Sequence, residues 1–283
     1  MGALALIALF GVGLLVGFAA GLIGIGGGVF IVPFLYFFYN HPEWAGFVLR
    51  DDLHVAVAHA TSLFVIVPTA IGGTWQYHKA KLIEWRVAFP VGFASLLGGV
   101  IGARLAIILP GEVLKFAFGV FLVASSVQMI TGRSKSDERP INTHLIPTTI
   151  TGLLVGTLSG MMGVGGGILA LPLLMYLLHV DIRRAAATSL AIILFAGASS
   201  AVTYAVSGSH ISGMPPYSLG YIHVGAGIPI LLASLMAVRL GTRVNQATDV
   251  KALRYMFAGF FMIMGVSFIW ENGRLVAALI NSR

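Results

Sequence analysis

Residues Gly13 to Pro33 read GLLVGFAAGLIGIGGGVFIVP, and the same pattern returns 139 residues later, from Gly152 to Pro172, as GLLVGTLSGMMGVGGGILALP. Ten of the sixteen positions from Gly13 to Gly28 are identical in the second copy. Chance does not produce such a match. The sequence therefore predicts an internal repeat in which each half of the chain opens on this stretch.

Each copy predicts a membrane helix that a glycine cluster interrupts. Glycines at every fourth position allow neighbouring helices to approach closely, and the cluster that follows lowers helix propensity by about 1 kcal/mol per glycine. A short apolar helix then restarts with unpaired backbone N–H groups, which attract an anion. The predicted anion-binding glycines are Gly24, Gly26, Gly27 and Gly28 in the first copy, and Gly163, Gly165, Gly166 and Gly167 in the second.

These glycines have two other interpretations. One is that they only permit tight helix packing, and the residues alone leave it open. The other, a soluble phosphate-binding loop, is excluded because Val29 stands where GxGxxG needs glycine and no βαβ alternation surrounds the motif.

The composition indicates an integral membrane protein. Of 283 residues, 58% are hydrophobic and only 10% are charged, against about 25% charged in soluble domains. The net charge of +7 resides in short loops and reports orientation rather than nucleic-acid binding. The chain has no cysteine, so no thiolate metal site or disulfide is expected, and no cofactor is expected either. Residues 1–20 lack the basic start and cleavage site of a signal peptide.

Hydropathy predicts an all-α polytopic protein of ten segments. Those at 28–39 and 167–179 are too short to cross comfortably, so we expect either half-helices that meet a broken loop or arms of re-entrant hairpins. The segments are 4–23, 28–39, 54–76, 87–109, 112–131, 145–162, 167–179, 185–206, 222–240 and 251–270.

The repeat continues beyond its opening, because Ala60-Thr61-Ser62-Leu63 returns as Ala187-Thr188-Ser189-Leu190. Each half then has five segments. An odd number makes the second half enter the membrane from the opposite face, which predicts inverted-topology repeats. We assign residues 1–132 to the first repeat, 133–144 to a cytoplasmic linker and 145–283 to the second repeat.

The basic residues predict the orientation. Twelve of them fall on one side of the predicted membrane and five on the other, and the richer side is expected to be cytoplasmic, with both termini outside. The richer side holds Lys79, Lys81, Arg86, Arg133, Lys135, Arg139, Arg183, Arg184, Arg239, Arg243, Lys251 and Arg254; the other holds Arg50, Arg104, Lys115, Arg274 and Arg283.

The Thr-Ser pairs supply neutral donors that would bind an anion and still release it. Thr61, Ser62, Thr188 and Ser189 are therefore candidate substrate ligands, although such residues also bond to their own helix or to a neighbouring one. His59 lies in the same predicted span, and its counterpart is Ala186. It is a candidate ligand or proton carrier, or else a histidine bonded within the bundle.

Arg104 and Arg243 repeat near the ends of the fourth and ninth segments. They are candidate gate residues that attract anions, or arginines whose side chains extend to the membrane interface. All ten acidic residues fall in or beside predicted loops, so no intramembrane carboxylate is expected to carry protons.

The paired GxGGG motifs, each followed by a proline-bearing short helix and an Ala-Thr-Ser-Leu helix, resemble the sulfite exporter TauE/SafE family over nearly the whole chain. This resemblance implies a bacterial inner-membrane transporter of sulfur-containing anions such as sulfite or organosulfonates.

The alternatives are an anion channel and a permease for a different oxyanion. An intramembrane enzyme is disfavoured, because GxSxG is absent. A small anionic substrate and the lipid bilayer are the expected partners, no nucleic acid is expected, and the oligomeric state stays open.

Overall fold

The computed structural model describes residues 2–108, 116, 119–120, 122–124, 126–127, 130–131 and 140–281, which are mostly helical. Seven described helices are long and apolar enough to cross a membrane, and two shorter apolar helices accompany them. In chain order the elements are α1 (Ala3–Ile23), α2 (Gly28–Tyr39), α3 (Pro42–Ala45), α4 (Asp51–Lys79), α5 (Trp85–Ile108), α6 (Leu145–Met162), α7 (Gly167–Tyr176), α8 (Ile182–Ser207), β1 (Ser218–Leu219), β2 (Ile222–His223), α9 (Val224–Ala247) and α10 (Val250–Asn281).

Nine of the ten predicted segments coincide with these helices. Half of the predicted segment 112–131 lies outside the described residues, and its described half is helical; residues 133–139 of the predicted linker also lie outside them. Two helices run well beyond their predicted ends, α9 to Ala247 instead of 240 and α10 to Asn281 instead of 270. The other bounds differ by a few residues, as where α7 ends at Tyr176 instead of 179. Hydropathy underestimated both ends because polar residues follow the apolar stretch of each helix, from Thr242 in α9 and from Glu271 to Arg274 in α10, without ending the helix.

Helices α1 and α2 form a re-entrant hairpin. Helix α1 runs beside α9 in the same direction, since Gly13 lies against Ile230 and Gly21 lies against Val238. At the end of α2, the Tyr39 hydroxyl is 3.2 Å from Nδ1 of His223, the residue before α9. Helix α2 therefore ends at the level where α1 and α9 begin, and it does not cross the bundle.

Helices α6 and α7 form a second hairpin of the same kind. The amide N–H of Asn142, just before α6, donates to the carbonyl oxygen of Leu178, just after α7, at 3.0 Å. The chain thus returns to the level from which α6 started. Of the two possibilities that the sequence leaves open for the short segments, the structure favours hairpin arms, since both short helices turn back toward the end at which α1 and α6 start.

The same packing contacts occur in both halves. A Cβ atom built on Gly17 would lie 2.1 Å from the carbonyl oxygen of Ser234, so only glycine fits where α1 meets α9. Gly156 meets the carbonyl oxygen of Ser95 in the same way where α6 meets α5. In each case a glycine-bearing helix of one half packs against a helix of the other half.

Two tyrosines also hold equivalent places in the two halves. The buried Tyr77 donates its hydroxyl to the carbonyl oxygen of Gly21 at 2.6 Å, and Tyr204 donates to that of Gly160 at 2.8 Å. Each tyrosine ties a long helix, α4 or α8, to the glycine helix of its own half, just before that helix ends.

The bundle has two distinguishable ends. At the first, the basic end, Arg184 forms an ion pair with Glu84, and the Arg183 guanidinium donates to the carbonyl oxygen of Thr248. At the other, the strand end, the β1–β2 pair lies beside the ends of α5 and α8, where Arg104 and Ser207 line one cavity. Helices α4 and α9 begin at the strand end, and α5 and α8 begin at the basic end.

Candidate functional site

The two glycine clusters adopt the same backbone conformation. Gly24, Gly26 and Gly27 have φ of 78°, 79° and 78°, and their counterparts Gly163, Gly165 and Gly166 have 65°, 77° and 75°. These values lie in the left-handed region, which glycine adopts without the steric strain of other residues. We refer to residues 24–28 as the first break and residues 163–167 as the second break.

The two breaks touch each other in the interior. A Cβ built on Gly28 would lie 2.5 Å from Val164 Cα, and one built on Gly167 would lie 2.5 Å from Ile25 Cα. All residues of both breaks are buried. The predicted binding glycines of the two halves are therefore brought together.

Two isoleucines at equivalent places in the halves flank this contact. A Cβ built on Gly26 would lie 3.0 Å from Ile66 and 3.2 Å from Ile193, and one built on Gly165 would lie 2.9 Å and 3.3 Å from the same two side chains. Both isoleucines are fully buried. The middle of α4 and the middle of α8 thus place an apolar contact over both breaks.

Each break leaves a helix N-terminus without a cap. Gly27 precedes α2 and Gly166 precedes α7, and no side chain accepts a bond from either helix start. Within the described part of the chain, no group accepts from the amides of Gly26, Gly27 and Gly28 or of Gly165, Gly166 and Gly167. Buried N–H groups without an acceptor are unfavourable in a protein interior, and their partial positive charge favours an anion.

Ser189 and Ser62 differ although they are counterparts. The Ser189 hydroxyl donates to the carbonyl oxygens of Gly24 and of Ala186, the latter at 3.0 Å. Ser62 Oγ is buried and has no partner among the described residues. The first break is therefore bonded to its serine, and the second break is not.

Thr61 and Thr188 support helix starts across the two halves. The Thr61 hydroxyl oxygen accepts from the amide N–H of His223 at 2.9 Å, and that of Thr188 accepts from the amide N–H of Glu84 at 3.1 Å. His223 and Glu84 stand immediately before α9 and α5. Burial lowers the pKa of His223 to about 4, so its ring is neutral at physiological pH.

We expect Thr61→Val and Thr188→Val to lower thermal stability. Valine keeps the shape but leaves a backbone N–H without its acceptor, at a cost of about 1 to 3 kcal/mol in the free energy of unfolding. Thermal unfolding in detergent measures this, with Thr203→Val as a control, since that hydroxyl only bonds to the carbonyl oxygen of Ser199 in its own helix. Unchanged stability together with a selective loss of anion affinity would instead assign the two hydroxyls to the substrate.

His59 lies against the second break. A Cβ built on Gly163 would lie 2.5 Å from His59 Cα, and Ala186 holds the equivalent place against Gly24. His59 Nε2 is 2.7 Å from the hydroxyl of Tyr36 on α2. The His59 side chain on α4 therefore bonds to α2, while its backbone lies against the second break.

Arg104 and Arg243 do not belong to this group. Both are exposed, Arg104 near the strand end and Arg243 near the end of α9 at the basic end. Arg104 lines an open cavity with Ser207, Ser209 and His210. Their gate role stays a prediction, and they lie apart from the breaks.

Sequence reasoning missed two polar residues beside the breaks. Ser159 on α6 is fully buried, and its Cβ is 3.1 Å from a Cβ built on Gly166. Asn245 on α9 donates to the carbonyl oxygen of Leu22, near the end of α1, at 2.6 Å. Aligning the repeats would have exposed Ser159, because its counterpart is Ala20. Asn245 gave no signal beyond being an amide in a largely apolar helix.

The model of the sulfite exporter TauE/SafE family matches residues 9–268. The chain belongs to this family. Among its relatives in the TauE/SafE family, a probable membrane transporter protein of Haemophilus influenzae is 31% identical over 260 residues, which cover 90% of this chain and 95% of that protein. One of Methanocaldococcus jannaschii is 29% identical, covering 90% and 92%, and one of Bacillus subtilis is 26% identical, covering 92% and 96%. No solved structure matches this TauE/SafE chain.

Proposed function

We propose that this protein is a secondary transporter that exports a small sulfur-containing anion, sulfite or an organosulfonate, through a site at the two glycine breaks. The observation that carries the proposal is the contact between two buried, uncapped helix N-termini, one from each half. The residues proposed to build the substrate site are those predicted from the sequence, namely Gly24, Gly26, Gly27, Gly28, His59, Thr61, Ser62, Gly163, Gly165, Gly166, Gly167, Thr188 and Ser189. Among them, Thr61 and Thr188 are proposed to contribute by holding the starts of α9 and α5 through their hydroxyl oxygens.

We further propose that the halves, 1–132 and 145–283, are repeats of inverted topology joined by 133–144. Helix α1 starts at the strand end, whereas α6 starts at the basic end. Asn142, just before α6, bonds to Leu178, and α8 begins at Ile182 at the basic end shortly after it. The matching contacts of Gly17 and Gly156 and of Tyr77 and Tyr204 support the same relation. Paired helix interruptions in such repeats commonly hold a transporter's substrate.

We propose that the protein lies in the bacterial inner membrane with its basic end facing the cytoplasm. The excess of Lys and Arg at that end supports this assignment. Both termini then face outward. Arg104 and Arg243, exposed near opposite ends, are proposed to attract anions to the two openings.

The membrane potential supports export. A negative interior favours outward movement of an anion by about 2.3 kcal/mol per charge per 100 mV. The sequence places all acidic residues in or beside loops, but the structure has Glu271 within α10, as an exposed residue that accepts from the Ser267 hydroxyl. No other carboxylate is predicted within a span for proton coupling. The apolar contact of Ile66 and Ile193 with both breaks favours a carrier, which must change shape to release its ion, over an open channel.

Anion flux into proteoliposomes tests the proposal. We expect purified protein to move radiolabelled sulfite with saturable kinetics, and methanesulfonate or taurine to compete, whereas chloride does not. Large unitary currents in planar bilayers would favour the channel. Flux of every tested anion equal to that of protein-free liposomes would contradict the proposed function.

A further inference from the structure

The two breaks are alike in backbone but not in the side chains around them. At the first break, Ser189 is bonded to Gly24, and the residues equivalent to His59 and Ser159 are Ala186 and Ala20. At the second break, all three positions are polar. The pseudo-symmetry of the fold therefore does not extend to its hydrogen-bond donors.

Two hydroxyls near the second break are fully buried and have no partner among the described residues, Ser62 Oγ and Ser159 Oγ. Ser159 lies next to Gly166, which directly precedes α7. Ser62 is one turn after His59, whose backbone lies against Gly163. Because Ser189 reaches Gly24 from the equivalent place, Ser62 is positioned beside Gly163.

Leaving a buried hydroxyl unsatisfied in an apolar interior is unfavourable. Of the six such hydroxyls among the described residues, Ser62 and Ser159 are the two that lie at the second break. Here they flank a ten-residue helix whose first amides also lack acceptors. Every one of these groups is able to donate a hydrogen bond. The partner that these donors lack is a hydrogen-bond acceptor with several lone pairs, such as an oxyanion.

We propose that the transported oxyanion is held at the second break alone, by Ser62, Ser159 and the amides at the start of α7, while the first break serves as a bonded structural counterpart. This inference rests on the proposed function and narrows its site. None of the buried polar side chains among the described residues is Lys or Arg, so recognition depends on neutral donors. Neutral donors release a small anion more readily than a buried cation does.

The test compares Ser62→Ala and Ser159→Ala with Ser200→Ala in the full chain. Ser200 is an equally buried control whose hydroxyl already donates to the carbonyl oxygen of Ala196 at 2.7 Å. We expect each of the first two variants to raise the KM for sulfite flux roughly tenfold, as loss of one hydrogen bond to a charged ligand predicts. Ser200→Ala should keep the KM of the wild type.

Thermal unfolding gives a second readout that a merely structural serine would not produce. Removing an unpartnered hydroxyl should leave the melting temperature without sulfite unchanged or raise it, and should abolish the increase that sulfite causes. Ser189→Ala should lower the melting temperature, because it breaks the bond to Gly24.

Three outcomes would overturn this inference. An unchanged KM in both Ser62→Ala and Ser159→Ala, with the wild type active, contradicts the second-break site and leaves the proposed function standing. A lower melting temperature without sulfite in those variants shows that the hydroxyls have a structural partner such as a buried water. A wild type that neither moves nor is stabilised by sulfite or methanesulfonate contradicts the proposed function and this inference together.

Discussion

Gly27→Val and Gly166→Val should reduce sulfite flux to the background of empty liposomes. Both positions have a positive φ, 78° and 75°, which a β-branched residue adopts only with strain of about 1 to 3 kcal/mol. The side chain also has no room, because a Cβ would lie 2.6 Å from Val16 at one break and 2.7 Å from the Val155 carbonyl oxygen at the other. Valine therefore removes both the left-handed backbone conformation of the break and the amide-lined surface that it exposes.

Membrane insertion should survive these valines, because the apolar segments are unchanged. The contacts with Val16 and Val155 add a loss of stability to the narrowing of the site. Flux normalised to folded protein separates the two effects. Gly11→Val is the matched control, since Gly11 lies on α1 with open space around it. Normal flux in a well-expressed Gly166→Val protein would refute the assignment of the second break to the pathway.

Gly28→Ala and Gly167→Ala should lower flux by about tenfold to a hundredfold while the protein still folds. Both residues begin helices and have no positive φ, so alanine brings no backbone strain. Its Cβ would instead lie 2.5 Å from Val164 Cα or Ile25 Cα and push the breaks apart. Overpacking of this kind costs about 1 to 3 kcal/mol.

The double variant should lose less flux than the two single losses combined predict. Both methyl groups push the same two breaks apart, so the second one adds little further displacement. Gly259→Ala is the control, as a Cβ there meets nothing within 4 Å. Sulfite flux and melting temperature are measured on all four proteins. Wild-type flux in both single variants would show that the contact between the breaks has no part in transport.

The repeat made much of this arrangement predictable. Two copies of one glycine pattern indicated two interrupted helices, one in each half of the chain. Paired interruptions in inverted repeats are expected to converge on one substrate site. The structure brings the breaks into contact at Gly28 and Val164 and at Gly167 and Ile25. The re-entrant return of α2 and α7 was not decided, because length alone does not distinguish a half-helix from a hairpin arm.

Contacts between the halves were beyond the sequence. The bond from the His223 amide to Thr61 joins residues 162 positions apart, and no local pattern specifies it. Because these partners are distant in the sequence, Thr61 and Thr188 were predicted as candidate ligands. In the structure, their hydroxyl oxygens accept backbone N–H groups instead. The asymmetry of Ser62 and Ser189 was hidden as well, since the two copies of Thr-Ser are identical and only their surroundings differ.

The position of a bound oxyanion tests the central claim most directly. Selenite has the shape and charge of sulfite, and its selenium atom is located by anomalous scattering in crystals of the wild-type protein, once selenite is shown to compete with sulfite for flux. The account predicts a selenium site within hydrogen-bonding distance of the second break, beside Ser62 and Ser159. A competing selenite that binds elsewhere, at the first break or in the cavity at Arg104, with none at the second break, would contradict it.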